Sequence, residues 1–272
     1  MNNIRKIESF IAKLTMLGRS FDKYLLKQGM KIKTPLYNAN NIPLVPNPRV
    51  QIQLEQAFSN PSGGLRVVIS PIGSGKSTYI NHQVNEHIHR GGATRAFGSE
   101  LNNMNDFYTT FGGIERRMDL FDMLPERSVI VLDQLEHLIP FPSEMANLLH
   151  HLALDSRRTA ECNVMVVVSD IALAKRILTL NGLDKIYQCG KSSDYEWHID
   201  EINQFINNSF LHWSRVDKDT IRELGLIARS AAYVHALYTL YSSTGLPKDT
   251  NTLLRSAHKF GDEWSRFKES GL

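Results

Sequence analysis

The sequence predicts an α/β fold, a parallel five-stranded sheet with helices on both faces, followed by a small all-helical unit. Three observations lead there. Short runs of consecutive apolar, mostly β-branched residues alternate with helical segments between Leu65 and Cys189. Their near-continuous apolar character is that of strands buried on both faces, as parallel strands are. A glycine-rich turn joins the first such run to the helix after it, and all strand signals stop beyond Asp200.

The chain opens with a basic arm over 1–33, where eight Lys/Arg face only Glu8 and Asp22. The arm carries +6, so the remainder carries −3 of the overall +3. Within it, Ile4, Ile7, Ile11, Leu14, Leu17, Phe21 and Leu25 recur at helical spacing, which predicts an amphipathic helix over 4–28. A Pro-punctuated stretch over 34–48 (Pro35, Pro43, Pro46, Pro48) reads as a linker.

The α/β unit is expected over 49–199. A helix over 49–58 ends before Asn60-Pro61-Ser62-Gly63-Gly64. Strands are predicted at 65–70, 93–99, 129–133, 164–169 and 185–189. The intervening helices include 77–89, 143–155, with Met145, Leu148, Leu149 and Leu152 on one face, and 171–180. The helical unit over 200–272 is predicted as four helices at 200–210, 218–224, 226–241 and 250–267, with Gly225 and Gly245-Leu246-Pro247 as breaks.

Composition excludes some classes. Hydrophobic residues make up 42% of the chain, ordinary for a folded protein with a core, and no uninterrupted apolar run is long enough to span a membrane. Two cysteines, Cys162 and Cys189, are too few for a disulfide framework and fit buried thiols in the cytoplasm or another reducing compartment. The basic, acid-poor arm is compatible with organelle targeting, with contact to nucleic acid, acidic lipid or a protein, or with packing on the body.

The turn Ser70-Pro71-Ile72-Gly73-Ser74-Gly75-Lys76-Ser77 lies directly after a strand and before a helix. This is the context of a phosphate-binding loop. Gly73 and Gly75 allow backbone N–H groups to converge, Lys76 supplies a charge for the β and γ phosphates, and the following helix presents its positive end. Pro71, Ile72, Ser74 and Thr78 complete the segment expected around ATP. The Ser77 hydroxyl is suited to Mg²⁺, a hard cation that takes oxygen ligands. Ser70 stands where the motif has its first glycine.

A second strand, Ser128-Val129-Ile130-Val131-Leu132, ends in Asp133, placed to share that Mg²⁺. Hydrolysis further needs a group that orients or deprotonates water. Gln134 follows directly and can orient water without accepting its proton, while Glu136 can do both. Ser169 ends the fourth strand and is suited to contact a γ-phosphate or the lytic water, a sensor role for which Asp170 competes, and equally to cap the next helix.

These residues resemble the additional-strand division of P-loop NTPases, and within it the AAA+ ATPases, over about residues 42–270. Asp133-Gln134-Leu135-Glu136 also resembles the STAND branch of nucleotide-driven switches. The resemblance implies an ATPase with a helical lid, with the strands of Asp133 and Ser169 near the phosphate loop. It further implies that Gly225-x3-Arg229 lies where a lid arginine reaches the γ-phosphate. AAA+ rings take an arginine from a neighbouring subunit. Arg157, Arg158 and Arg176 are candidates for a homo-oligomer, though none stands clearly before the fifth strand.

Three functions remain open at this level: a motor or loader acting on nucleic acid or protein, a slow nucleotide-gated switch, and a small-molecule kinase. The kinase lacks support from an arginine-rich lid segment. The absence of Asn-Lys-x-Asp favours ATP over GTP. His82, Glu86 and His89 share a helix face but read as solvated, as does His150-His151, and the sequence contains no His-Glu-x2-His metal motif.

Overall fold

The computed structural model describes residues 45–59, 64–97, 124, 127–138, 146–153, 162–179, 186–209, 217–244 and 250–272. The basic arm, most of the linker, Arg157 and Arg158 lie outside the described residues.

Helix α1 (Pro48–Ser59) leads into β1 (Gly64–Ile69), followed by α2 (Lys76–His89) and β2 (Ala93–Phe97). Strand β3 (Ser128–Leu132) precedes a 3₁₀ turn, Leu135–Leu138; residues 146–153 form α3. Then come β4 (Cys162–Val168), α4 (Ile171–Leu178) and β5 (Tyr187–Gln188). Beyond a second 3₁₀ turn, Ser192–Tyr195, the elements among the described residues are helices: α5 (Ile199–Ser209), α6 (Lys218–Ala228), α7 (Ala231–Thr244) and α8 (Thr250–Glu269).

The sheet is parallel, in the order β2-β3-β4-β1-β5. Four strands run five to seven residues and the fifth only two. That edge strand is shorter than the 185–189 expected, and both of its residues are exposed. Every residue of β1, β3 and β4 is buried, as their apolar runs require. Side chains alternate between two cores. Leu65, Val67 and Ile69 meet α3 and α4, while Val68 meets α1 and α2. A third core, including Ile202, Phe205, Leu224 and Val234, binds the helical part.

One predicted break is corrected. Gly225 lies inside α6 and the chain turns at Arg229 instead, which adopts φ 54. Gly225 is needed for contact: a Cβ there would meet Ile202 and Val234 at 3.2 Å. The glycine therefore lets neighbouring helices approach, and the break falls one turn later.

Candidate nucleotide site

Strand β1 delivers the loop. The Ser70 amide donates to Val168 O at 3.3 Å, continuing the ladder one residue past β1. The Ser70 hydroxyl lies 2.6 Å from that of Ser74, and both residues are buried. Serine at the motif's first position thus braces the loop from beneath. Gly73 (φ 80) and Gly75 (φ 88) occupy the left-handed region that their missing Cβ permits. Gly75 caps α2 without a side-chain hydrogen bond, which leaves amide donors at the helix start for an anion.

Lys76 is 6% exposed, and its Nζ donates to the Pro71 carbonyl at 3.2 Å. Burial lowers its pKa to about 8, opposed by the nearby carboxylates of Asp133, Glu136 and Glu263. The Ser77 hydroxyl donates to Asp133 Oδ2 at 2.7 Å. Burial also raises the Asp133 pKa, against the hydrogen bonds from Ser77 and the Gln134 amide and the charge of Lys76. Two oxygens, an alcohol from the start of α2 and a carboxylate from the end of β3, meet beside an ammonium. That donor set suits Mg²⁺.

Gln134 takes φ 58, uncommon for a residue with a Cβ, and lines the cavity. Glu136, carried by the 3₁₀ turn, accepts from the Ser169 amide at 2.6 Å, and both residues also line it. The cap of α4 is Asp170, which accepts from the Leu173 amide at 2.7 Å. Ser169 is therefore not the cap.

The cavity holds about 530 Å³. Its phosphate-loop side presents Ile72, Gly73, Gly75, Lys76, Ser77 and Thr78. Pro71 and Ser74 are turned into the loop's own hydrogen bonds and do not line it. Opposite stands a wall from the linker and the helical part: Val45, Trp197, Phe205, Ala231, Ala232 and His235, with Tyr79 from α2. Tyr79 donates to the Val45 carbonyl at 3.0 Å. The Trp197 and Phe205 rings are 5.7 Å apart, those of Phe205 and His235 6.3 Å. Burial lowers the His235 pKa. The start of α7 closes directly on the loop, where the Ala232 amide and the Ser230 hydroxyl both donate to Gly73 O, at 2.9 and 3.0 Å.

Arg229 sits just before this contact but does not line the cavity; its guanidinium pairs with Glu196 at 3.0 Å. Arg176 is exposed on α4. No cluster of three or more metal-ligating residues of the His/Cys/Asp/Glu type occurs among the described residues. No helix among them is long and apolar enough to cross a membrane.

Sequence reasoning missed the aromatic wall. Trp197, Phe205 and His235 carry no motif, and Phe205 sits at ordinary core spacing on α5. Only folding reveals that they face the loop.

No family model matches the sequence, and no curated protein matches it. Solved structures do. Domain III of the Thermotoga maritima replication initiation protein DnaA matches with TM-score 0.50 at 10% identity, covering 81% of this chain and 94% of that one. A Walker-type ATPase of Pyrococcus abyssi matches with TM-score 0.51 at 14% identity, over 89% of this chain and 76% of that one. AMPPCP-bound DnaA from Aquifex aeolicus matches with TM-score 0.50 at 11% identity, over 88% and 70%. The fold is that of a P-loop, AAA+-like ATPase. Helices α5 to α8 follow the sheet as a separate helical part. The order β3-β4-β1 sets the strand ends carrying Asp133 and Ser169 beside the loop, as the resemblance implied.

Proposed function

We propose that this chain is a Mg²⁺-dependent ATPase that couples hydrolysis to loading or remodelling of a nucleic-acid or protein partner. The observation behind it is one cavity that gathers Lys76, the Ser77–Asp133 pair and Glu136 under a lid bonded to the phosphate loop. ATP's phosphates fit the loop side, and its nucleoside end fits the wall that includes Trp197, Phe205 and His235.

Lys76 gives up the Pro71 carbonyl for phosphate oxygens, and the α2 amides supply neutral donors beside it. Ser77 and Asp133 are the residues that would hold Mg²⁺, which when bound neutralises charge developing on the phosphoryl group. Gln134 orients the attacking water and Glu136 takes its proton, while Ser169 holds the Glu136 carboxylate in place through its amide. The lid senses the phosphate through Gly73, whose carbonyl both Ser230 and Ala232 engage. Ser169, which lines the cavity, is proposed as a secondary reporter of the γ-phosphate, whereas Arg229 is turned to Glu196 and away from it. The nucleic-acid arm of the proposal rests on the +6 charge of residues 1–33. The DnaA structures among the similar folds support the same direction.

A slow, switch-like variant of the same reading has its own support. The residue after Asp133 is a glutamine, and Glu136, two residues further on, already accepts a hydrogen bond from a backbone amide. The test is Mg²⁺-dependent ATP turnover by wild type and Lys76→Ala over a range of protein concentration, with and without DNA. Turnover that rises with concentration and DNA supports an assembling, DNA-stimulated ATPase. Tight ATP binding with little turnover under every condition selects the switch. Failure of wild type to bind ATP would sink both.

A further inference from the structure

We propose that Glu196 is a positioning residue that holds the lid down on the phosphate loop, so that nucleotide release requires its ion pair with Arg229 to open. This rests on the nucleotide reading above.

Glu196 stands at the junction of the two parts of the molecule. Tyr195 before it belongs to the core on the sheet, and Trp197 after it belongs to the core among the helices. Its side chain is only 4% exposed, yet it meets two cations. Arg229 Nη1 donates to Oε1 at 3.0 Å, and Lys268 Nζ lies 2.9 Å from Oε2. A buried carboxylate is tolerated only when paired in this way.

The two cations come from different places. Arg229 belongs to the α6–α7 turn, one residue before Ser230 and three before Ala232, the donors to Gly73 O. Lys268 lies on the last turns of α8, where Trp264 and Phe267 are buried in the cores on the sheet. Glu196 therefore ties the lid turn that grips the phosphate loop to a stretch of helix anchored in the α/β part. The same turn also bonds the cavity wall, since the Trp197 amide donates to Arg229 O at 3.0 Å. Lifting α7 from Gly73 displaces Arg229 and uncouples it from Glu196. Arg229 is 39% exposed, so water replaces its partner readily, whereas the carboxylate, 4% exposed, is left inside the protein with Lys268 alone. The cost of opening falls on Glu196.

The experiment follows release of ADP carrying a fluorescent N-methylanthraniloyl group from the full chain, by stopped flow against excess unlabelled ADP. Glu196→Gln is expected to speed release about tenfold or more, the scale of a lost charge-assisted hydrogen bond, with the association rate little changed. Arg229→Gln, at an exposed and replaceable position, is expected to act in the same direction and carries the test if Glu196→Gln does not fold. The double variant should release no faster than Glu196→Gln alone, because both remove one interaction. Arg229→Lys should restore much of the slow release, which a purely structural defect would not allow. Release unchanged in Glu196→Gln or, where that variant does not fold, in Arg229→Gln would overturn the proposal while leaving nucleotide binding standing. Independent, additive effects of the two substitutions would overturn it as well. Absence of ADP binding by wild type would overturn the nucleotide reading and this proposal together.

Discussion

Burial of the Lys76 ammonium is the residue-scale fact with the largest consequence. Its pKa falls from 10.5 to about 8 because the charged form is desolvated. The ligand-free protein therefore bears the cost of a buried cation in full below pH 8. That cost is relieved as pH rises from about 8 toward 10.5, so this group's contribution to stability improves across that window. Phosphate binding depends on the charge and runs the opposite way. ADP affinity, measured by fluorescence titration, is expected to fall above pH 8 by up to roughly tenfold per unit. In Lys76→Arg, whose guanidinium stays protonated, the fall should vanish. Gln134 orients water but accepts no proton, the task assigned to Glu136. Gln134→Glu is therefore expected to leave single-turnover hydrolysis within about threefold of wild type. A gain of about tenfold or more would mean that the wild type lacks an effective base and would favour the switch.

At the scale of elements, the lid owes its geometry to close helix approach. Gly261 on α8 lies against α6, where a Cβ would meet Ile227 O at 2.4 Å. Gly261→Ala gains helix propensity of about 1 kcal/mol but forces the backbones apart, at about 1–3 kcal/mol. A lower urea midpoint is expected despite the better helix former. Gly225 works alike on α6, which explains why its place in the sequence resembles a break. Alone, a glycine between two helical patterns has the signature of a stop; paired with Ile202 and Val234 it is a contact. Strand assignments were more legible, because a run such as Val164-Met165-Val166-Val167-Val168 has no exposed face to offer a helix. The fifth strand was legible only as a position. Its length of two depends on pairing with Arg66 and Val67 of β1.

At the scale of the molecule, α8 joins the two parts. Ala257 is buried among the lid helices, while Trp264 (1% exposed) and Phe267 (2%) are buried against the sheet. Trp264→Ala is expected to destabilise the protein by about 3–5 kcal/mol in chemical denaturation. Because the same helix serves both parts, tryptophan fluorescence and far-UV circular dichroism should report a coincident transition in the wild type. Separate transitions would show that the lid melts by itself.

The chemistry of the phosphate side was determined by sequence alone. Loop amides, Lys76, Ser77 and the helix start are contiguous in the chain, so local spacing dictates their geometry, and Asp133 closes a strand whose apolar run is unmistakable. Local sequence also set the α/β class, since periodicity records burial. Only the tertiary structure decided the rest. Trp197, Phe205, Ala232 and His235 reach the cavity from segments more than a hundred residues beyond the loop. Whether Arg229 faces a phosphate or Glu196 depends on a turn angle and a buried carboxylate that share no pattern in the sequence. Such contacts are set by how helices pack, and packing at long range leaves no mark in local spacing.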